Sequence, residues 1–204
     1  MTTFERSVFI NCPFDSKYYF LLKPLLFTIV DLGFNPKIAL ERSDSCENRI
    51  TKIEELIKES KYSIHDLSRI RSVKKNEIYR MNMPFELGID YGCRKYSIDK
   101  GTEKRQLILE KEPYTYKVAL SDISGFDIKS HNDDPIILIR VLRDWFVETV
   151  GIRGLKGPTE IWNRYTDFLY YLTVSSLKKG FSSDDIDLMP VVEYLEVINE
   201  WKIN

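Results

Sequence analysis

Between Ser7 and Glu110, short β-rich apolar runs alternate with stretches of helical periodicity, and that alternation constrains the fold more than any other property of the chain. Ser7-Val8-Phe9-Ile10-Asn11 reads as a first strand, broken by Cys12-Pro13-Phe14-Asp15. Asp15 or Ser16 then caps a helix running to about Leu32, kinked at Pro24 and closed by Gly33. Residues 35–40 give a second strand. Within 46–60, Ile50, Ile53, Leu56 and Ile57 share one helical face. Residues 62–67 form a third strand, Pro84 suits the first turn of a helix reaching about Tyr96, and residues 106–110 form a fourth strand. Repeated strand–helix units with mostly short connections specify a parallel, doubly wound sheet. Right-handed crossovers send its helices to both faces.

Beyond residue 110 the character changes. Residues 114–121 read as a fifth strand or an irregular segment, and 121–127 are rich in turn formers. Helical patterns cover 135–150, 159–172 and 188–201, with the glycine-rich 151–158 as a hinge-like linker. The expected architecture is α/β: a flavodoxin-like doubly wound parallel sheet of order 2-1-3-4, with or without a fifth strand, over residues 1–150. Residues 151–204 are expected to form a C-terminal helical appendage packed on that domain or on a partner. Trp162, Tyr165, Phe168, Tyr170, Tyr171 and Trp201 line this tail. They read as intrachain core or as the buried face of a homodimer or higher homo-oligomer.

Composition removes several function classes. In 204 residues, 30 basic side chains nearly cancel 31 acidic ones, and a net charge of −1 provides no global field for nucleic acid or a membrane surface. No apolar run approaches the roughly 18 residues of a membrane span. The longest, 20–32, is interrupted by Lys23, Pro24 and Asp31. The N-terminal residues do not read as a signal peptide. Cys12, Cys46 and Cys93, an odd set without CxxC spacing, argue for a reducing, cytoplasmic setting and against disulfides or structural zinc.

The chemistry-bearing residues gather at strand ends. Asp66 closes the third strand, and Glu86 stands within Asn82-Met83-Pro84-Phe85-Glu86-Leu87-Gly88 at the next helix start. In an open α/β sheet these positions share the crevice where ligands bind. Cleaving an N-glycosidic bond requires stabilising an oxocarbenium-like sugar, which a carboxylate beneath C1 supplies as a charge or as a nucleophile. A second acid holds sugar hydroxyls or protonates the base. The helix N-terminus is expected to keep Glu86 ionised. The plainer alternatives are a Glu86 that complements the helix dipole and an Asp66 that bonds its own turn.

Around this pair, Phe14 is placed to stack on a base, and Asp15 to bond a ribose hydroxyl or cap its helix. Arg42 and Arg49 follow the second strand, where they can meet phosphates, and Asn11 and Asn82 complete the candidate ligand-binding set. His65 alternates with Asp66, so it faces the opposite side of the strand and reads as structural; Cys12 reads as a small apolar filler. Arg69, Arg71, Lys74, Lys75 and Arg80 make a basic, solvated loop, and Asp122, Asp127 and His131 read as turn chemistry rather than a metal site. No metal or cofactor is expected. No P-loop, GxGxxG or GxSxG is present.

Pro84-Phe85-Glu86-Leu87-Gly88-Ile89, twenty positions after a strand ending in Asp66, resembles the nucleoside 2-deoxyribosyltransferase fold, and Val8-Phe9-Ile10-Asn11 resembles the first strand of TIR domains. The similarity covers roughly residues 7–110. It departs from the transferases in having Asn82-Met83-Pro84 where they usually show Asp-x-Gly-(Ser/Thr), and the TIR pattern Ser-x-x-Trp-Cys-x-x-Glu is absent. Both families imply a catalytic role for Glu86, with Asp66 orienting the sugar. The implied function is an N-glycosidic-bond-cleaving or transferring enzyme acting on a nucleotide, a nucleoside or NAD, with a role in bacterial antiviral or stress signalling. The alternative is a non-catalytic nucleotide-sensing or oligomerising TIR-like module.

Overall fold

The computed structural model describes residues 3–70, 81–97 and 103–203. A short helix, α1 (Thr3–Arg6), leads into β1 (Ser7–Asn11), α2 (Tyr19–Asp31) and β2 (Asn35–Ile38). Then come α3 (Arg49–Lys58), β3 (Tyr62–Asp66), α4 (Asn82–Tyr96), β4 (Arg105–Glu110) and the two-residue β5 (Lys129–Ser130). Four helices complete the chain: α5 (Pro135–Glu148), α6 (Pro158–Lys178), α7 (Ser183–Asp187) and α8 (Val191–Ile203). The strands form one five-stranded, all-parallel sheet in the order β2-β1-β3-β4-β5, a flavodoxin-like arrangement.

Local chemistry sets the element ends. Asn48 accepts hydrogen bonds from the Ile50 and Thr51 amides at the start of α3, and Asp134 does the same for Ile136 and Ile137 ahead of α5. Gly33, at φ +86°, ends α2: its N–H bonds the Val30 carbonyl while Phe34 N–H bonds that of Ile29, the paired closure that a left-handed residue permits. Pro24 does not interrupt α2. Residues 114–121 do not add a strand. The buried Glu110 carboxylate accepts from the Tyr114 and Tyr116 amides and the Thr115 hydroxyl, curling the chain into a 3-10 turn at Thr115–Val118. The fifth strand comes later, at Lys129–Ser130.

The two-residue period of the strands sorts the core onto two faces. Val8, Ile10, Tyr62, Ile64, Leu107 and Leu109 pack in one cluster with α2 and α5, whereas Phe9 packs with Ile53, Leu56 and Ile57 of α3 on the other side. α2 is apolar nearly all round: Leu21, Leu22, Leu25, Leu26, Phe27 and Ile29 are each at most 2% exposed. Such a helix needs cover on its outer side as well as a sheet beneath. α6 and α8 supply it, so the C-terminal helices share one hydrophobic cluster with the sheet.

The aromatic residues of the tail turn inward. Phe168 stacks on Phe27 at 5.3 Å between centroids and meets Tyr194 and Trp201 at 5.5 and 5.8 Å. Of the six aromatics singled out in the tail, Tyr170 alone is largely exposed. Phe168→Ala is therefore expected to lower the stability of the whole chain by about 3–5 kcal/mol in one cooperative denaturant transition. A separate low-stability transition confined to the tail would contradict a shared core.

Candidate functional site

A cavity of about 370 Å³ opens at the carboxyl end of β1, between the first turns of α3 and α4. Ligands enter folds of this class beyond the carboxyl ends of the strands, near where the strand order reverses, which here is between β1 and β3. Six of the eight residues singled out from the sequence line it: Asn11, Phe14, Asp15, Arg49, Asn82 and Glu86. Cys12, Pro13 and Met83 complete the wall. Asp66 and Arg42 do not line it.

Glu86 is the fifth residue of α4 and is only 3% exposed. Its carboxylate accepts a hydrogen bond from Arg49 Nη2 at 3.3 Å, and the Arg49 side chain is itself half exposed at the cavity wall. Burial pushes the Glu86 carboxyl above its ordinary range, and the Arg49 guanidinium pulls against that shift without cancelling it. One turn inside the helix, the expected ionising influence of the N-terminus is outweighed by desolvation. The second acid at the cavity is Asp15, at the N-cap position of the 3-10 turn Ser16–Tyr18. Cys12 is a buried thiol: burial raises its pKa well above the ordinary value, and Asp66, Glu86 and Asp15 raise it further.

The pleat explains why Asp66 is elsewhere. Consecutive strand residues point to opposite faces, so His65 turns toward α4 and Asp66 toward α2. Asp66 is fully buried and accepts from the Tyr18 hydroxyl, from His131 Nε2 at 3.0 Å and from the Ser68 amide at 2.8 Å. Burial alone would raise its pKa; the bonds from His131, Tyr18 and Ser68 overcome that and lower it. His131 Nδ1 accepts from the Asp133 amide, so the proton resides on Nε2 and points at Asp66. This triad ties β3, the turn before α2 and the segment before α5 together.

The face toward α4 carries a second buried network. Asn11 Nδ2 lies 2.9 Å from the Met83 carbonyl, which can only accept, so this atom is a donor. It is also 3.0 Å from His65 Nδ1, which must then be unprotonated, leaving His65 Nε2–H to donate to Asp90 at 3.0 Å. Asp90 further accepts from the Ser63 hydroxyl and from Gln106 Nε2 at 2.7 Å, and Lys104 Nζ stands 3.3 Å away. Burial pushes the Asp90 carboxyl up, but the His65 hydrogen bond, the Lys104 charge and Ser63 hold it far below the usual carboxylate range. The network pins the first turn of α4, and hence Glu86 one helical turn before Asp90, to the ends of β1 and β3.

Of the remaining expected residues, Arg42 is engaged by Glu47 and Glu55 at 3.4 and 3.0 Å, bracing the start of α3. Among the described residues no cluster of His, Cys, Asp and Glu has the makings of a metal site, and no helix is long and apolar enough to cross a membrane. Arg71, Lys74, Lys75 and Arg80 of the expected basic loop lie outside the described residues. Sequence reasoning missed Asp90, Lys104, Tyr18 and His131 as partners. Only Asp90 left a trace, four residues after Glu86 on the same helical face.

Fold and cavity together define a flavodoxin-like α/β protein with a buried, arginine-paired glutamate in a cavity at the carboxyl end of β1. Neither a comparison with protein-family models nor one with curated proteins gives a match, so the chemistry is argued from the side chains.

Asp90→Asn leaves Lys104 buried opposite a neutral amide and is expected to cost about 3–5 kcal/mol. The sign with pH follows from the depressed pKa. Ionised Asp90 contributes stability above its unfolded pKa of about 3.9, and that contribution fades as pH falls toward the folded value. Denaturant melts between about pH 7 and pH 3 should show the variant losing part of the wild-type acid slope.

Proposed function

We propose that the chain acts at the N-glycosidic bond of a nucleotide, a nucleoside or NAD, with Glu86 as the catalytic carboxylate. The observation that carries this reading is a desolvated glutamate in the wall of a cavity at the carboxyl end of β1, flanked by an aromatic ring and a guanidinium. Glu86 would stabilise or attack the anomeric carbon while the bonding pair departs to the base nitrogen. Water or an acceptor hydroxyl then takes the sugar. Phe14 offers a face for the base, Asp15 an acceptor for ribose hydroxyls and Arg49 a cation for phosphate. Asp66, held by Tyr18 and His131, serves as a brace rather than as the second acid. The short motif around Glu86 that resembles the deoxyribosyltransferases and the NAD-cleaving TIR domains supports the same role.

One observation favours the second reading, a sensor that binds nucleotide without turnover: Arg49 pairs with Glu86, which occupies the carboxylate that turnover would need. The purified protein incubated with NAD and with deoxynucleosides, and assayed chromatographically for free base, separates the two. The enzyme reading expects base release that Glu86→Gln reduces at least about a hundredfold. If neither protein releases base yet a nucleotide raises the melting temperature, the sensor reading takes its place.

The raised Glu86 pKa adds a pH signature. A nucleophile must be ionised, so the acid limb of kcat/KM should lie above the free-glutamate value of about 4.3. Arg49→Gln removes the charge that favours the carboxylate, and the limb should move further up; a limb unmoved by this change would remove Glu86 from that step.

A further inference from the structure

A second and larger cavity, of about 920 Å³, lies on the other side of the sheet's midline, along β4. Its floor is Gln106, Leu107 and Ile108; one wall is Tyr91, Arg94 and Lys95 of α4, and the other is formed by α5, with Val141 and Trp145 at its centre.

The cause is the brevity of β5. It pairs only with the last two residues of β4, Leu109 with Lys129 and Glu110 with Ser130. Arg105 N–H bonds the Lys61 carbonyl and the Leu109 carbonyl accepts from Leu67, so residues 105, 107 and 109 direct their backbone groups at β3. Residues 106, 108 and 110 therefore direct theirs outward, as His131 N–H bonding the Glu110 carbonyl confirms. Among the described residues, β5 is the sole strand on that side, and Gln106 and Ile108 N–H face the cavity. A stretch of parallel-sheet edge that no described strand covers is a template for another strand.

Charge states what kind of strand. At the rim, Asp127 is engaged by Lys129 at 2.8 Å and Asp144 by Arg143 at 3.0 Å. Arg94, Lys95 and Arg140 line the groove without an ion pair among the described residues, against Glu148 as the remaining unpaired acid. A sheet edge of a second folded copy would bring its own flanking helices against α4 and α5. A single extended segment meets no such obstacle.

We infer that the open edge of β4 is a docking site for an extended acidic segment of a partner protein, added to the sheet as a strand beyond β4. Its main chain bonds Gln106 and Ile108. Acidic side chains on one face meet Arg94 and Lys95, and apolar ones on the other face meet Val141 and Trp145. The site is separate from the Glu86 cavity and does not rest on its chemistry.

The test uses the full chain and a capped, fluorescent seven-residue peptide alternating glutamate and valine, followed by anisotropy. Saturable binding is expected, weakened at least about tenfold by N-methylation of alternate peptide amides, which blocks strand pairing and leaves charge unchanged. Arg94→Glu with Lys95→Glu, both exposed but in the last turn of α4, should lower the melting temperature modestly and keep a single cooperative transition. It should weaken the glutamate peptide about tenfold and favour its lysine–valine counterpart. Glu86→Gln should bind the peptide as wild type does. Absence of saturable binding overturns the inference, as does equal binding of the N-methylated peptide or indifference to the charge reversal.

Discussion

The alternation of side chains along β3 is the constraint on which the rest of the site depends. Because successive strand residues must face opposite sides of the sheet, His65 and Asp66 cannot serve the same cavity. Each is buried, and a buried polar group has to be satisfied where it points. His65 finds Asn11 and Asp90 on the α4 side, and Asp66 finds Tyr18 and His131 on the α2 side. Of the two carboxylates that look like a catalytic pair in the linear chain, Asp66 is drawn into a buried network away from the cavity. Glu86 is left facing Arg49, with Asp15 as the other acid at the cavity.

The two networks do different mechanical work. The one around Asp66 joins segments that sequence separates widely, Tyr18, Asp66 and His131, and so fixes the chain leaving β5 against the turn before α2. The one around Asp90 joins the start of α4 to the ends of β1 and β3 and contains the charged pair Asp90–Lys104. Lys104 also donates to the Ile57 carbonyl, tying in the end of α3. The elements that carry Glu86 and Arg49 are thus both fastened from below while the cavity above them remains open. A carboxylate held this way stays desolvated at the cavity wall.

Much of this was legible beforehand for a simple reason. Strand and helix periodicity, helix caps and the glycine at the end of α2 are local properties, and a parallel sheet follows from their order. The motif at Glu86 was legible because a short carboxylate-bearing helix start after a strand can occupy few places in such a fold. Partnerships were not legible. Arg49 lies 37 residues from Glu86, and His131 lies 65 residues from Asp66. Nothing in local composition separates Arg49, which reaches the cavity, from Arg42, which is captured by Glu47 and Glu55. The C-terminal aromatics could equally have faced a partner; their inward turn is dictated by α2, which exposes apolar side chains on every side until α6 and α8 cover it.

What the amino-acid order determined by itself is the α/β class, the parallel strand order around β1 and β3, and a set of polar side chains brought to the end of β1 and the start of α4. Tertiary structure alone decided which acid lines the cavity there, which cation answers it and which edge of the sheet stays open. The first set follows from periodicity and handedness, which act over a few residues. The second depends on which distant side chains satisfy each buried charge, and that is settled only when the faces of the sheet are packed.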